Sequence, residues 1–486
     1  MLVPLPVVSE NAPLTTVQAD RTNPNLTLAV LALGGVAYAL LQSLVAPALP
    51  EMQRALHTSE SAISWVLTAY LLSASVATPV IGRLGDMFGK ERVLAIILVV
   101  LGFGTLLAAV APSVGVLVLA RVIQGAGGGI FPLAFGIIRD EFPREKVAGS
   151  IGIVSALLGI GGGLGVVLAG LIVDNMSYHW LFWFPLIAIV IAIAATRFYV
   201  PESPVKSPGQ INWAGALLMS FGLAGVLLAI SQGNAWGWGS GRTLGLFAAG
   251  LILLVVWVYV ELRAREPLVD MRMMQVRGVW TTNLVAFMLG VGMYSSFILM
   301  PQFVQLPEST GFGFGDSVTG AGLILLPSAA AMLIAGSFTG SLERRFGSKP
   351  PLMAGTAFAA ACFVLLAVAH GSPATFYLAS ALLGIGIGLA FASMANIIVQ
   401  NVRQEQTGVA TGMNTVTRTL GGAVGGQVAA TILVNSLAAD GLPGESGFTA
   451  AFWFCAAALI VGLLVTLTIP ARPRAAAALV AQPAEA

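Results

Sequence analysis

The sequence predicts an all-α integral membrane protein with fourteen transmembrane helices. They form two six-helix halves related by duplication, with a helix pair inserted between them. Three observations predict this. First, 57% of the 486 residues are hydrophobic and only 9% are charged, with a mean hydropathy of +0.90; soluble domains carry roughly 25% charged residues. Second, apolar runs long enough to cross a bilayer, which takes about 20 residues, recur along the chain. Third, the basic residues fall almost wholly in alternate connections.

The runs cover residues 26–48, 61–82, 93–111, 114–139, 147–173, 178–199, 211–232, 242–261, 278–305, 316–341, 349–369, 373–400, 405–437 and 447–469. Each exceeds an ordinary strand, and a backbone in lipid must satisfy its own hydrogen bonds, so the runs read as helices. None alternates in the units of about ten residues expected of barrel strands. The even-numbered connections hold Arg83, Lys90 and Arg92; Arg139, Arg144 and Lys146; Arg197 and Lys206; Arg263, Arg265, Arg272 and Arg277; Arg344, Arg345 and Lys349; and Arg403. The odd connections hold only Arg54 and Arg242. Basic loops stay in the cytoplasm, so the even connections and both tails are expected there.

An internal repeat supports the two halves. GRLGDMFG at 82–89 matches GSLERRFG at 340–347. Gly125, Gly127 and Gly129 match Gly384, Gly386 and Gly388; Gly161, Gly162 and Gly165 match Gly421, Gly422 and Gly425. Three matches in one order at nearly one offset argue for duplication. The expected organisation is a tail at 1–25, a six-helix bundle at 26–199, an inserted pair with its loops at 200–277, a second bundle at 278–470 and a tail at 471–486. Both tails are expected to be disordered and cytoplasmic.

Composition excludes several classes. A soluble enzyme could not hide this much apolar surface. A net charge of +2 leaves no nucleic-acid footprint. Cys362 and Cys455 sit alone inside apolar runs, without metal-ligand spacing. The opening MLVPLPVVSE has neither a basic segment nor a cleavage site, so no secretory signal is expected. Acidic residues read as confined to tails, loops and helix ends, and no nucleophile–base constellation is visible. A monomer in the bilayer, without cofactor or metal, is expected.

Four stretches carry a family resemblance: WVLTAYLLSASVATPVIGRLGDMFGKERVL at 65–94, RVIQGAGGGIFP at 121–132, GIGGGLGVVLAG at 159–170 and MNTVTRTLGGAVGG at 413–426. The chain resembles the major facilitator superfamily, and within it the fourteen-helix drug:proton antiporter branch. The resemblance implies two bundles facing a central site and export of amphiphilic small molecules by alternating access, coupled to protons, from the bacterial cytoplasmic membrane. It also implies a conformational latch in the loop between the second and third helices: Asp86 and Lys90 with Asp140 and Glu141, and Gly82 and Gly89 allowing close backbone approach. Two positions depart from the branch. Leu41 stands where an Asp is usual, and Gly165-Val166 stands where Gly-Pro is usual. Weaker proton dependence is expected, routed through boundary acids such as Asp174, Glu51 or Glu308.

Two charges fall inside spans. Arg121, with Gln124 one turn on, reads as a gating or coupling pair or as an arginine reaching for the interface. Arg418, with Asn414 on its face, reads as a substrate contact or a structural arginine bonded to carbonyls. The aromatic and amide residues Tyr38, Gln42, Trp65, Phe131, Phe135, Asn283, Tyr294, Gln302 and Asn396 are candidates to line an amphiphile pocket. Two interior cations without an acid beside them favour neutral, zwitterionic or anionic ligands over dications.

Overall fold

A computed structural model describes residues 23–470 other than 204, 207–208 and 438–440. The tail residues 1–22 and 471–486 lie outside the described residues. The architecture is helical throughout. The first half runs α1 (Pro24–Ser43), α2 (Val45–Ala55), α3 (Glu60–Phe88), α4 (Lys90–Ala109), α5 (Val114–Gln124), α6 (Ile130–Glu141), α7 (Arg144–Asn175) and α8 (Trp180–Tyr199). The inserted pair is α9 (Trp213–Trp236) and α10 (Gly241–Arg263), followed by the single turn α11 (Met271–Met274). The second half runs α12 (Arg277–Gln305), α13 (Val318–Phe346), α14 (Lys349–Val368), α15 (Pro373–Asn401), α16 (Thr407–Val434) and α17 (Glu445–Leu467).

Two spans are broken by their own sequence. Pro47 cannot donate to the carbonyl of Ser43, and the first span divides at Leu44 into α1 and α2. The GAGGG run at 125–129 winds as a 3₁₀ turn between α5 and α6, next to Pro132, which cannot donate to Gly128. The matching glycines Gly384, Gly386 and Gly388 sit in an unbroken α15.

Twelve helices among the described residues are long and apolar enough to cross a membrane. The runs at 147–173 and 405–437 lie outside that twelve. They fold as α7, 32 residues long, and α16, 28 residues long. α16 dilutes its apolar residues with Thr, Asn, Gly and Arg418.

The glycines set the packing. Cβ atoms at Gly161 and Gly165 would collide with Ala39 and Ser43 of α1, and at Gly421 and Gly425 with Phe287 and Val291 of α12. Gly161 and Gly165 thus seat α7, and Gly421 and Gly425 seat α16, on the first helix of their own half. One apolar core fills residues 30–200, with Ala395 and Val399 reaching into it, and a second fills 285–469. Two seams join the halves. At one, α7 packs along α13, where Gly149 meets Gly340 and Gly152 meets Gly336. At the other, α3 packs on α16 while α9 lies against both. Ser231 of α9 is 3.3 Å from Thr68 of α3, and Thr431 of α16 donates to Asn234 of α9 at 3.0 Å. α10 packs on α9 and exposes most of its length.

Candidate functional site

At the end carrying the arginine-rich connections, the halves are tied together by charged side chains set on helix termini. The expected loop around Asp86 is shorter than the sequence suggested: α3 runs to Phe88, α4 begins at Lys90, and Gly89 alone turns the chain, at φ +109°. A residue with a Cβ would be strained there. Asp86 is fully buried and accepts from the backbone N–H groups of Gly408 (3.2 Å) and Val409 (3.1 Å). It therefore sits on the N-terminus of α16, where the helix dipole favours an anion. Lys90 Nζ lies 2.7 Å from Asp140 and 3.6 Å from Asp86, so it bridges two acids. Asp140 also accepts from Ser203 (2.5 Å) and from Gln404 (3.0 Å) of the other half. Glu141 is half-buried beside it. A Cβ at Gly82 would sit 2.5 Å from the carbonyl oxygen of Gly408, so only glycine permits this approach.

Arg139, read from sequence only as a loop charge, completes the tie. Its guanidinium donates to the carbonyls of Val402 (2.9 Å) and Arg403 (3.2 Å) and to the Thr407 hydroxyl. A cation thus meets the C-terminal end of α15, while an anion meets the N-terminus of α16.

Arg121 is fully buried, which removes the interfacial reading. It donates to the carbonyls of Val66 (3.1 Å) and Leu41 (3.1 Å) and to Gln124 Oε1 (2.8 Å), and it stacks over the Tyr70 ring at 3.9 Å. Gln124 donates onward to Thr105 at 3.1 Å. Leu41 is thus met through its backbone, not its side chain. From Tyr70 an aromatic row runs through Tyr38 (6.0 Å between centroids) to Phe131 (6.1 Å) and Phe135 (6.3 Å). Phe131 and Phe135 then line an enclosed cavity of about 20 Å³ with Phe391, Asn414, Thr415 and Arg418. That is room for little more than one water, so the bundles are closed on it. Arg418 stacks over Phe391 at 4.2 Å.

The remaining candidates divide. Asn414 donates to Asn283 (3.0 Å), which fixes α16 against α12. Gln42 donates to Tyr294 (3.1 Å) and so joins α1 to α12 across the halves. Four candidates lie elsewhere. Asn396 does not line the cavity: it donates to Glu343 (2.8 Å) and to the Ala148 carbonyl (3.4 Å) at the arginine-rich end. Gln302 is exposed, and Trp65 is half-buried and not among the cavity residues. Asp174 is exposed and accepts from Thr319 (3.3 Å) on α13, away from Arg121. Three acids lie at helix ends, as expected, but are buried there: Asp86, Glu261 and Glu343 sit in the last turns of α3, α10 and α13. Glu261 accepts from Trp257 (3.2 Å), Asn212 (3.4 Å) and the Val269 N–H (3.4 Å), which folds the connections of α9 and α10 together. Glu343 belongs to GSLERRFG, and that repeat was the signal for it. No group of three or more His, Cys, Asp or Glu among the described residues is placed to hold a metal ion.

Two helical bundles facing a shared central cavity, tied at one end by helix-end contacts, have the architecture of a multi-pass membrane transporter and not of an enzyme. The chain belongs to the Major Facilitator Superfamily, which it matches over residues 31–426. It is 30% identical over 369 residues to the multidrug transporter protein MdtP of Bacillus subtilis (strain 168), covering 75% of this chain and 67% of that one. It is 28% identical over 421 residues to the tetracenomycin C resistance and export protein of Streptomyces glaucescens, covering 85% and 77%. Among solved structures it resembles the human organic anion transporter MFSD10 (TETRAN) in fold, with a TM-score of 0.63 at 16% identity, over 91% of this chain and 99% of that one.

Proposed function

We propose that the protein exports amphiphilic small molecules by alternating access, as a multidrug-type secondary transporter of the fourteen-span branch. In this reading α7 and α16 also cross the bilayer, residues 26–199 and 278–470 form the two moving bundles, and α9 and α10 are the insertion. The arginine-rich end faces the cytoplasm of a bacterial cell, with both termini there. The carrying observation is the closure at that end. Asp86 on the N-terminus of α16 and Arg139 on the C-terminal end of α15 join the bundles through contacts that can be made and released as a unit. The name of the Streptomyces relative, a resistance and export protein, supports the direction of transport.

Protons are the proposed coupling ion. A passive facilitator is the second reading, favoured by Leu41 and by the absence of a carboxylate among the residues around the closed cavity. Purified protein in liposomes, with pH gradient and voltage imposed separately, separates the two. Uphill movement of an amphiphile driven by the pH gradient supports antiport. Equilibration alone under both gradients supports facilitation.

A further inference from the structure

The two buried central arginines are built differently. Arg121 donates through Nε and Nη1 to two carbonyls and an amide and lays its face on Tyr70, with Nη2 alone left without a partner. Arg418 is about as deeply enclosed, at 9% exposed, yet its side chain makes no hydrogen bond or ion pair to any described residue. Its Nε is buried without a partner, and its guanidinium stacks on the Phe391 face. A buried guanidinium normally finds acceptors, because an unpaired buried charge is strongly unfavourable. Here no described residue supplies an acceptor, and Arg418 lines the cavity shared by both bundles. Phe131 and Phe135 enter that cavity from α6, while Phe391, Asn414 and Thr415 enter from α15 and α16. The fork of an arginine matches an oxyanion bidentately, and aromatic faces take an apolar body.

We propose that Arg418 binds the anionic group of the transported molecule. The substrate class is then the amphiphilic monoanion: a carboxylate or sulfonate on an aromatic body, seated among the three phenylalanines once the bundles part. The acceptor that Arg418 lacks arrives with the substrate, and the second amide hydrogen of Asn414, whose first goes to Asn283, is available to its head. This rests on the reading that the central cavity is the transport site.

The test uses one body with different heads. N-dansylphenylalanine carries a carboxylate, its carboxamide is neutral, dansylcadaverine is a cation, and a dansyl sulfonate of similar size separates the two oxyanions. Equilibrium binding is followed by fluorescence on the purified full chain, and counterflow is measured in proteoliposomes. Wild type is expected to bind an anion at least about tenfold more tightly than the neutral amide, in line with a charge-assisted bond. Arg418→Gln should remove that preference and leave amide binding within about twofold, and Arg418→Lys should restore part of it. Unfolding temperature and elution profile confirm that each variant folds. Equal binding of acid and amide by wild type, equal loss of both in a folded Arg418→Gln, or no binding of either anion would overturn the proposal. Counterflow of the amide without preference for the acid would sink the Arg418 assignment and leave export standing. Arg418-dependent anion binding without counterflow of any probe would support the assignment and sink the transport reading.

Discussion

Replacing Asp86 by Asn keeps the shape and removes the charge from the N-terminus of α16. In the closed structure the carboxylate accepts two backbone N–H bonds, from Gly408 and Val409, and lies 3.6 Å from Lys90. Charge-assisted bonds contribute about 1.5–3 kcal/mol each. Asn keeps one oxygen as acceptor but turns an amide donor toward the second N–H, so one bond is lost and the other becomes neutral. The closed state should lose about 2–3 kcal/mol relative to the open one. That is a roughly 30- to 150-fold change in their ratio. Lys90 keeps Asp140 at 2.7 Å, so the fold should survive. Spin labels at Arg144 and Arg345, exposed on α7 and α13, would report the separation of the bundles. Wild type should give one short distance. Asp86→Asn should add a longer component and slow transport. An unchanged distribution with wild-type rates in a well-folded variant would reduce the contacts to a passive solvated edge.

Three further outcomes follow from the same geometry. Gly82→Ala should open the same end, since its Cβ would meet the backbone of Gly408, whereas Gly115→Ala, with nothing within 4 Å, should change neither the distances nor transport. Arg121→Ala should lower the unfolding temperature markedly, because three hydrogen bonds and a cation–π contact at about 1 kcal/mol or more each are lost; a variant melting with wild type would make the arginine dispensable to the fold. An impermeant thiol reagent applied to intact cells should label Cys at Glu445 and spare Cys at Arg265, both exposed positions, against a quiet background from the buried Cys362 and Cys455; the reverse pattern would invert the proposed topology.

Helix positions and the duplication were readable because length and glycine spacing are local signals. The matched glycine triplets marked close packing, and the structure supplies the partners, Ala39 for Gly161 and Phe287 for Gly421. Rotation of each helix about its axis was not readable. In lipid an apolar face can meet protein or bilayer, so hydropathy does not tell them apart. That is why Asn396 could be expected in the cavity and is found on Glu343, and why Gln302 is exposed. The partner of Asp86 lies 322 residues away, across the seam. The motif marked the residue, but only tertiary packing supplies the helix end it occupies.

The duplication leaves two flanks that would be equivalent under its two-fold axis, and α9 makes them unequal. One flank closes by glycine-lined contact of α7 with α13; at the other α3 packs directly on α16, and α9 lies against both with one polar contact to each. Any rocking motion must decide which bundle α9 follows. Because α10 rides on α9 and faces outward along most of its length, the choice also moves a lipid-facing surface. The carrier is therefore mechanically lopsided. In the proposed alternating-access cycle one flank would move as bare helix on helix while the other also carries the α9–α10 pair through the bilayer, so membrane thickness and viscosity would act on one side more than on the other.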